Sequence, residues 1–280
     1  MIVVVSDVHL GYNRCNKEVF ESFIEDFLEK EKVEHLILLG DILDFWRRFS
    51  EGVILENLEI LSKLNNLNTE KYYVIGNHDY SLYNLIRYKD LQFKFTKDLS
   101  LQSGDKKFRF IHGYQIEFEN FLPIYEKLCE FLCASGDKKG KILSDFWSWY
   151  EKNLKKNKFI SKIMRICTRK EIQIYDERWG DMRTLNQEKL NELIEFVQKS
   201  PKEREMSALH RKEVWRTERE IAQRLESVKL MSEEVLVYGH THKPFCKRDV
   251  ANTGSWVSDA EKTNSYLIID NGKMELKYWK

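Results

Sequence analysis

Five short apolar runs, at 2–6, 35–40, 71–76, 108–112 and 234–238, each stop at a small cluster of polar residues. They are rich in Val, Ile, Leu and aromatics and lack the alternation of a half-exposed strand, so they predict strands buried on both faces. The first runs into Ser6-Asp7-Val8-His9 and the second into Gly40-Asp41-Ile42-Leu43-Asp44. The third runs into Gly76-Asn77-His78-Asp79, the fourth into His112-Gly113 and the fifth into Gly239-His240-Thr241-His242. Five of the seven histidines stand at these ends, leaving His35 and His210 elsewhere. A lone strand-end Asp or His is usually a turn former or a satisfied hydrogen-bonding group. Five strand ends that each offer a metal ligand point instead to one site, because the carboxyl ends of parallel strands converge on one crevice.

The segments between the runs predict how the strands connect. Asn16 is placed to cap a helix in which Phe20, Phe23, Ile24, Phe27 and Leu28 form one apolar face, giving a β-α-β unit. A less regular helix is predicted over 53–65, and "SYLIIDNGKMELKYW" reads as a hairpin turning at Asn271-Gly272. Strands flanked by helices indicate an α/β or α+β core. From 118 to 232 strand patterning gives way to helical stripes: Ile142, Phe146, Tyr150 and Leu154, then Ile160, Ile163, Met164 and Cys167, then Leu190, Leu193, Ile194 and Val197. Strand patterning resumes at Glu234, so 118–232 is expected to be a helical cap inserted into a core of 1–117 and 233–280.

Charge is globally uninformative, with 46 Lys and Arg against 45 Asp and Glu. Locally it is not: Lys138 to Lys170 holds eleven basic residues against Asp145 and Glu151, interleaved with Phe146, Trp147, Trp149, Tyr150 and Phe159. Such a segment suits peripheral contact with an anionic membrane or the acyl and phosphate parts of a lipid. Single-stranded nucleic acid and a solvated cap face are the alternatives. Five scattered cysteines without a C-x-x-C pair argue against a disulfide framework or structural zinc and fit a reducing cytoplasm. No leader and no apolar run approaching the roughly 20 residues of a membrane span are expected.

A two-metal hydrolytic site needs a carboxylate able to bridge two ions, with imidazole and oxygen ligands around each. Such a pair of ions lowers the pKa of a water between them enough to supply hydroxide for in-line attack on phosphorus. Gly40, Gly76 and Gly239 would let the backbone approach the ions without a Cβ in the way. Asp44 reads equally as a carboxylate orienting a ligand histidine or as a helix cap. Arg14, Arg47 and Arg48 could meet substrate phosphate, and read equally as exposed loop arginines.

The ordered series D-x-H, G-D-x-x-D, G-N-H-D, H-G and G-H-x-H resembles the calcineurin-like metallophosphoesterase superfamily. The resemblance implies an αββα sandwich of two mixed sheets and a dinuclear centre. Carried over motif by motif, Asp7, His9 and His242 would hold one ion, Asn77, His112 and His240 the other, and Asp41 would bridge. His78 would act on the phosphoryl transition state or the leaving oxygen, with Asp79 orienting its ring. Manganese heads the expected metals, with Fe, Zn, Co and Ni as alternatives, since Asp, Asn and His without thiolate accept all of them. "GDILDFW", "GHTHKP" followed by "NTGSW", and the inserted helices look most like the UDP-2,3-diacylglucosamine diphosphatase group, although His78 departs from its pattern. The implied substrate is a phosphorylated small molecule or lipid. An Mre11-like nuclease and a non-catalytic scaffold are the rivals.

Overall fold

A computed structural model of the chain describes residues 1–118, 122–123, 125–134, 234–260 and 262–280. Contacts divide the chain into two units, 1–145 with 224–280 and 146–223, and the second falls wholly outside the described residues. So do the helical stripes and the basic segment 138–170.

The strands are β1 (Ile2–Val5), β2 (His35–Leu38), β3 (Glu70–Val74), β4 (Phe93–Thr96), β5 (Leu99–Ser103), β6 (Lys106–Phe110), β7 (Glu234–Tyr238), β8 (Phe245–Lys247), β9 (Val250–Asn252), β10 (Ser265–Asp270) and β11 (Lys273–Tyr278). A six-stranded sheet runs β11-β10-β1-β2-β3-β4, and a five-stranded sheet runs β5-β6-β7-β9-β8. β1 to β4 are mutually parallel and β10 runs antiparallel to β1, while β6, β7 and β9 are parallel between antiparallel edges. This is an α/β fold of two mixed sheets with helices. All five predicted strands form. β4, β5 and β8 were not legible as strands because they are short and largely half-exposed, without an apolar run.

Alternate residues explain why the sheets face each other. Ile2, Val4, Ile37, Leu39, Tyr72 and Val74 from one sheet, with Leu267 and Ile269, meet Phe108, Phe110, Val235, Val237 and Ala251 from the other in one buried cluster. Spacing by two puts each set on a single face, and truncating one of its Phe residues to Ala would cost about 3–5 kcal/mol.

On the outer face of the six-stranded sheet lies helix α1 (Lys17–Phe23), continued by a wider turn over Ile24–Leu28. The predicted apolar stripe is the buried one: Phe23 meets Trp256, Tyr266 and Trp279 at ring separations of 5.1, 4.8 and 5.5 Å. Asn16 stands at the start of α1 and its carbonyl accepts from Phe20 N, but its side chain makes no cap. Its amide donates to Thr263 and Asn264 instead.

The helix expected over 53–65 is two, α2 (Ser50–Glu56) and α3 (Leu58–Asn66), broken where Asn57 Nδ2 donates to the Val53 carbonyl. On the five-stranded sheet, Ile116 of the short helix α4 (Tyr114–Glu117) packs with Ile111, Leu236, Tyr238 and Val250. The β10–β11 turn has φ of 49° at Asn271 and 76° at Gly272, the doubly left-handed geometry that Asn-Gly favours. Among the described residues no helix is long and apolar enough to cross a membrane.

Candidate metal centre

All five ligand-bearing loops leave the carboxyl ends of β1, β2, β3, β6 and β7. The β1–β2 ladder continues beyond the strands: Asp7 N donates to Gly40 O, His9 N to Asp41 O and Leu10 N to Ile42 O, at 3.0, 2.9 and 2.8 Å. Side chains then tie loop to loop. His240 N donates to Asp7 Oδ2 at 2.9 Å, and His78 N to Asp41 Oδ1 at 2.7 Å.

Asp7, His9, Asp41, His240 and His242 all have left-handed φ, between 54° and 66°. For residues with a Cβ this costs of order 1–3 kcal/mol each and persists only where surrounding bonds enforce it. Gly76 serves differently, with no positive φ: a Cβ there would run into Asp41 Oδ1 and the Asp41 backbone nitrogen.

The ligand atoms crowd together. His242 Nε2 lies 3.2 Å from both His9 Nε2 and Asp7 Oδ1, and His112 Nε2 lies 3.1 Å from Asp41 Oδ2. His9 Nε2 is 3.9 Å from Asp7 Oδ1 and 4.0 Å from Asp41 Oδ2. Donor atoms held about 2.0–2.2 Å from a shared ion at ordinary coordination angles are themselves about 3–4 Å apart. Asp7, His9 and His242 form one such group and Asp41, His112 and His240 another; His9, Asp41 and His78 meet the same spacing. Asp7 Oδ1, Asn77 Oδ1 and His112 Nε2 are buried without a hydrogen-bond partner. Leaving such groups unsatisfied costs about 1–3 kcal/mol apiece or more when charged, and divalent ions would satisfy all three. The residues fit the metals that the resemblance implies.

Hydrogen bonds select which imidazole nitrogen is available. His112 Nδ1 donates to Leu39 O at 2.7 Å and His9 Nδ1 to Asp44 Oδ2 at 3.3 Å, so each offers Nε2 to the cluster. Burial raises the Asp7 carboxyl, but His112 and His242 outweigh it and leave it below the ordinary carboxylate value. Asp41 is likewise opposed by burial and held far down by His112 and His78. In return burial lowers His112, yet Asp41 and Asp7 push it up to about 10.

His78 stands on the rim of this cluster with its Nδ1 3.1 Å from Asp44 Oδ1 and its ring stacked on buried Trp46 at 4.1 Å. The carboxylate at its ring is therefore that of Asp44, which corrects the expectation for Asp79. Asp79 accepts instead from Tyr73 Oη at 2.6 Å, Gly76 N at 2.8 Å and Ile42 N at 2.9 Å, as a buried strut between the second and third loops. Burial and the Asp41 charge push its pKa up to about 7. Of the two readings offered for Asp44 the orienting carboxylate holds and the helix cap does not: its bond from the Arg47 N–H, at 3.3 Å, closes a turn, and α2 begins only at Ser50. Burial opposes its ionisation, and His78 and Arg47 overcome that and hold it well below the usual carboxylate range.

Of the three arginines Arg47 is the one with a described contact at the site: it pairs with Asp44, lies 3.4 Å from His78 Nδ1 and covers the Tyr12 ring. Arg14 is paired with Asp259 on the exposed surface, and Arg48 with Glu56. Trp46 and Glu117, whose carboxylate meets His240, were missed because neither belongs to a ligand motif. The only sequence cue was Trp46's nearness to Asp44.

The sequence model described as calcineurin-like phosphoesterase matches residues 1–244. No curated protein matches in sequence. A dimetal phosphatase from Danio rerio is similar at TM-score 0.45 and 11% identity, covering 99% of this chain and 94% of that one. A Vps29 from Entamoeba histolytica is similar at TM-score 0.39 and 12% identity, covering 99% and 96%. A predicted phosphoesterase from Streptococcus pneumoniae TIGR4 is similar at TM-score 0.33 and 12% identity, covering 98% and 86%.

Proposed function

The chain belongs to the calcineurin-like phosphoesterase family, and we propose that it is a dinuclear metal-dependent hydrolase of a phosphodiester or diphosphate bond. The observation that carries this reading is the convergence of Asp7, His9, Asp41, His112, His240 and His242, with buried atoms of Asp7, Asn77 and His112 left without a hydrogen-bond partner. Asp7, His9 and His242 would hold one ion and Asn77, His112 and His240 the other, with Asp41 between them. Divalent ions at such a site polarise a phosphoryl oxygen and make water acidic enough to attack near neutral pH. Manganese is the first choice, on the strength of oxygen and imidazole donors without thiolate.

The chain's own groups supply the rest. The Asp44 carboxylate holds His78 Nδ1–H, so Nε2 is the nitrogen free to meet a phosphoryl or leaving oxygen. Trp46 behind the ring and Asp44 at its edge fix where Nε2 points, which is worth rate because a misplaced acid is a poor one. Arg47, held by Asp44 and the Tyr12 face, places a guanidinium beside His78, where an anionic substrate group can meet it.

For the substrate, the basic, aromatic segment 138–170 supports an amphiphilic anion, a lipid-linked or nucleotide diphosphate of the kind the UDP-2,3-diacylglucosamine diphosphatase group cleaves, met by a cytoplasmic protein peripheral at the membrane. Free Cys15, Cys129, Cys133 and Cys246 are in keeping with a reducing compartment. A hydrolysis screen over nucleotides, UDP-sugars, phospholipids and single-stranded DNA, with Mn²⁺ or EDTA, tests the reading. Metal-dependent turnover of a diphosphate lipid supports it, and preferred cleavage of DNA would replace it with a nuclease. Full-length protein that binds no metal and cleaves nothing would make it a scaffold.

A further inference from the structure

Three histidines of the cluster each have one ring nitrogen occupied by a protein acceptor: His9 by Asp44, His112 by the Leu39 carbonyl, and His240 by Glu117. The third is the exception: Glu117 takes Nε2, where the others are held at Nδ1. Its Oε2 lies 2.6 Å from His240 Nε2, with the His240 side chain 8% and the Glu117 side chain 14% exposed. Contact at this distance between two nearly buried groups is a charge-assisted hydrogen bond, unlike the solvated ion pairs of a surface.

Local structure holds both partners in place. Gly113, at φ 127°, turns the chain after His112 into α4, and Glu117 N donates back to the Gly113 carbonyl. A Cβ on Gly113 would crowd His240 Cβ, so the glycine lets the two loops approach. His240 is fixed in turn by its left-handed backbone and by the bond from its N–H to Asp7 Oδ2.

We propose that Glu117 is a positioning residue for the ion held by Asn77, His112 and His240: its carboxylate pins Nε2–H of His240 and so turns Nδ1 toward Asp41 and His112. This rests on the dinuclear reading above. A carboxylate on the far nitrogen fixes the tautomer and raises the basicity of the ligating one, and losing such a partner typically costs 10- to 100-fold in metal affinity. Asp44 does the same for His9, so each ion is served by one carboxylate-held imidazole.

The test has two readouts that do not depend on turnover. In metal-free protein, long-range ¹⁵N–¹H correlation should show His240 protonated at Nε2, and an Nδ1–H tautomer in the unmodified chain would overturn the proposal. Mn²⁺ binding by equilibrium dialysis should then separate the variants. Glu117→Ala should weaken one of two ions by about 10- to 100-fold and leave the other unchanged. Glu117→Gln, which keeps an oxygen acceptor but no charge, should recover part of that loss. Equal affinity for both ions in Glu117→Ala and the unmodified protein would refute the role. Uptake of fewer than two ions by the unmodified protein would instead refute the dinuclear reading, and the tautomer measurement tells the two failures apart.

Discussion

Replacing Asp44 with Asn changes almost no volume and removes a charge on which three groups depend. The carboxylate accepts from His78 Nδ1 at 3.1 Å through one oxygen and from His9 Nδ1 at 3.3 Å through the other, and it pairs with Arg47. An asparagine has one acceptor oxygen and one donor nitrogen, so one histidine must face a donor with its own N–H. Losing a hydrogen bond to a charged group is worth about 1.5–3 kcal/mol. Spent on the orientation of His78, that is about a 10- to 150-fold fall in kcat. Spent on His9, it appears as weaker binding of the ion held with Asp7 and His242, by about 10- to 100-fold.

Stability should change too. The folded-state pKa of Asp44 is depressed, so its contribution is present above the unfolded value of about 3.9 and disappears as pH falls through the lower folded value. In Asp44→Asn that part of the acid destabilisation should be absent from urea melts of EDTA-treated protein. The assay pairs kcat on an aryl phosphodiester at saturating Mn²⁺ with the metal-binding isotherm. A variant with kcat within twofold of the parent and an unchanged isotherm would show that Asp44 orients neither histidine.

Three further outcomes are expected. Asp41→Asn should abolish activity and lower metal content, because a neutral amide cannot serve two ions; two tightly held metals in that variant would end the bridging assignment. His78→Ala should keep both metals and lose roughly 10²-fold or more in kcat, and loss of an ion instead would make His78 a ligand. Gly76→Ala should force its methyl into Asp41, costing about 1–3 kcal/mol of stability together with metal affinity, and a well-folded, fully loaded Gly76→Ala protein would contradict the spacing described here.

The candidate ligands were legible because their chemistry lies in residue identity: an Asp, Asn or His just past an apolar run says what it can bind before its direction is known. The inner faces of the sandwich were legible for a similar reason, since a run such as Ile2 to Val5 has to be covered on both sides. What failed to show was anything set by a neighbour distant in sequence. The left-handed φ of Asp7, His9, Asp41, His240 and His242 is held by bonds from other loops, and the modest enrichment of Asp and His at positive φ does not single these positions out. Asn16 looked like a cap and became a tie to Thr263 and Asn264 because those acceptors arrive from the far end of the chain.

The exchange of roles between Asp79 and Asp44 has the same cause. Adjacency to His78 suggested that Asp79 would orient the ring, but successive residues leaving a strand project to opposite sides. Once His78 faces the metal cluster, Asp79 is turned into the interior, where Tyr73 and the amides of Gly76 and Ile42 meet it. The partner of His78 comes instead from the loop after β2, one of the two strands beside β3. The loop after β2 carries Asp44 three residues beyond Asp41, far enough along to reach both His78 and His9. One loop thus supplies both the carboxylate placed between the two ligand groups and the carboxylate that orients the histidines around them. Lengthening it by a residue between Asp41 and Asp44 should therefore uncouple the two functions, leaving metal bound through Asp41 while the orientation of His78 is lost.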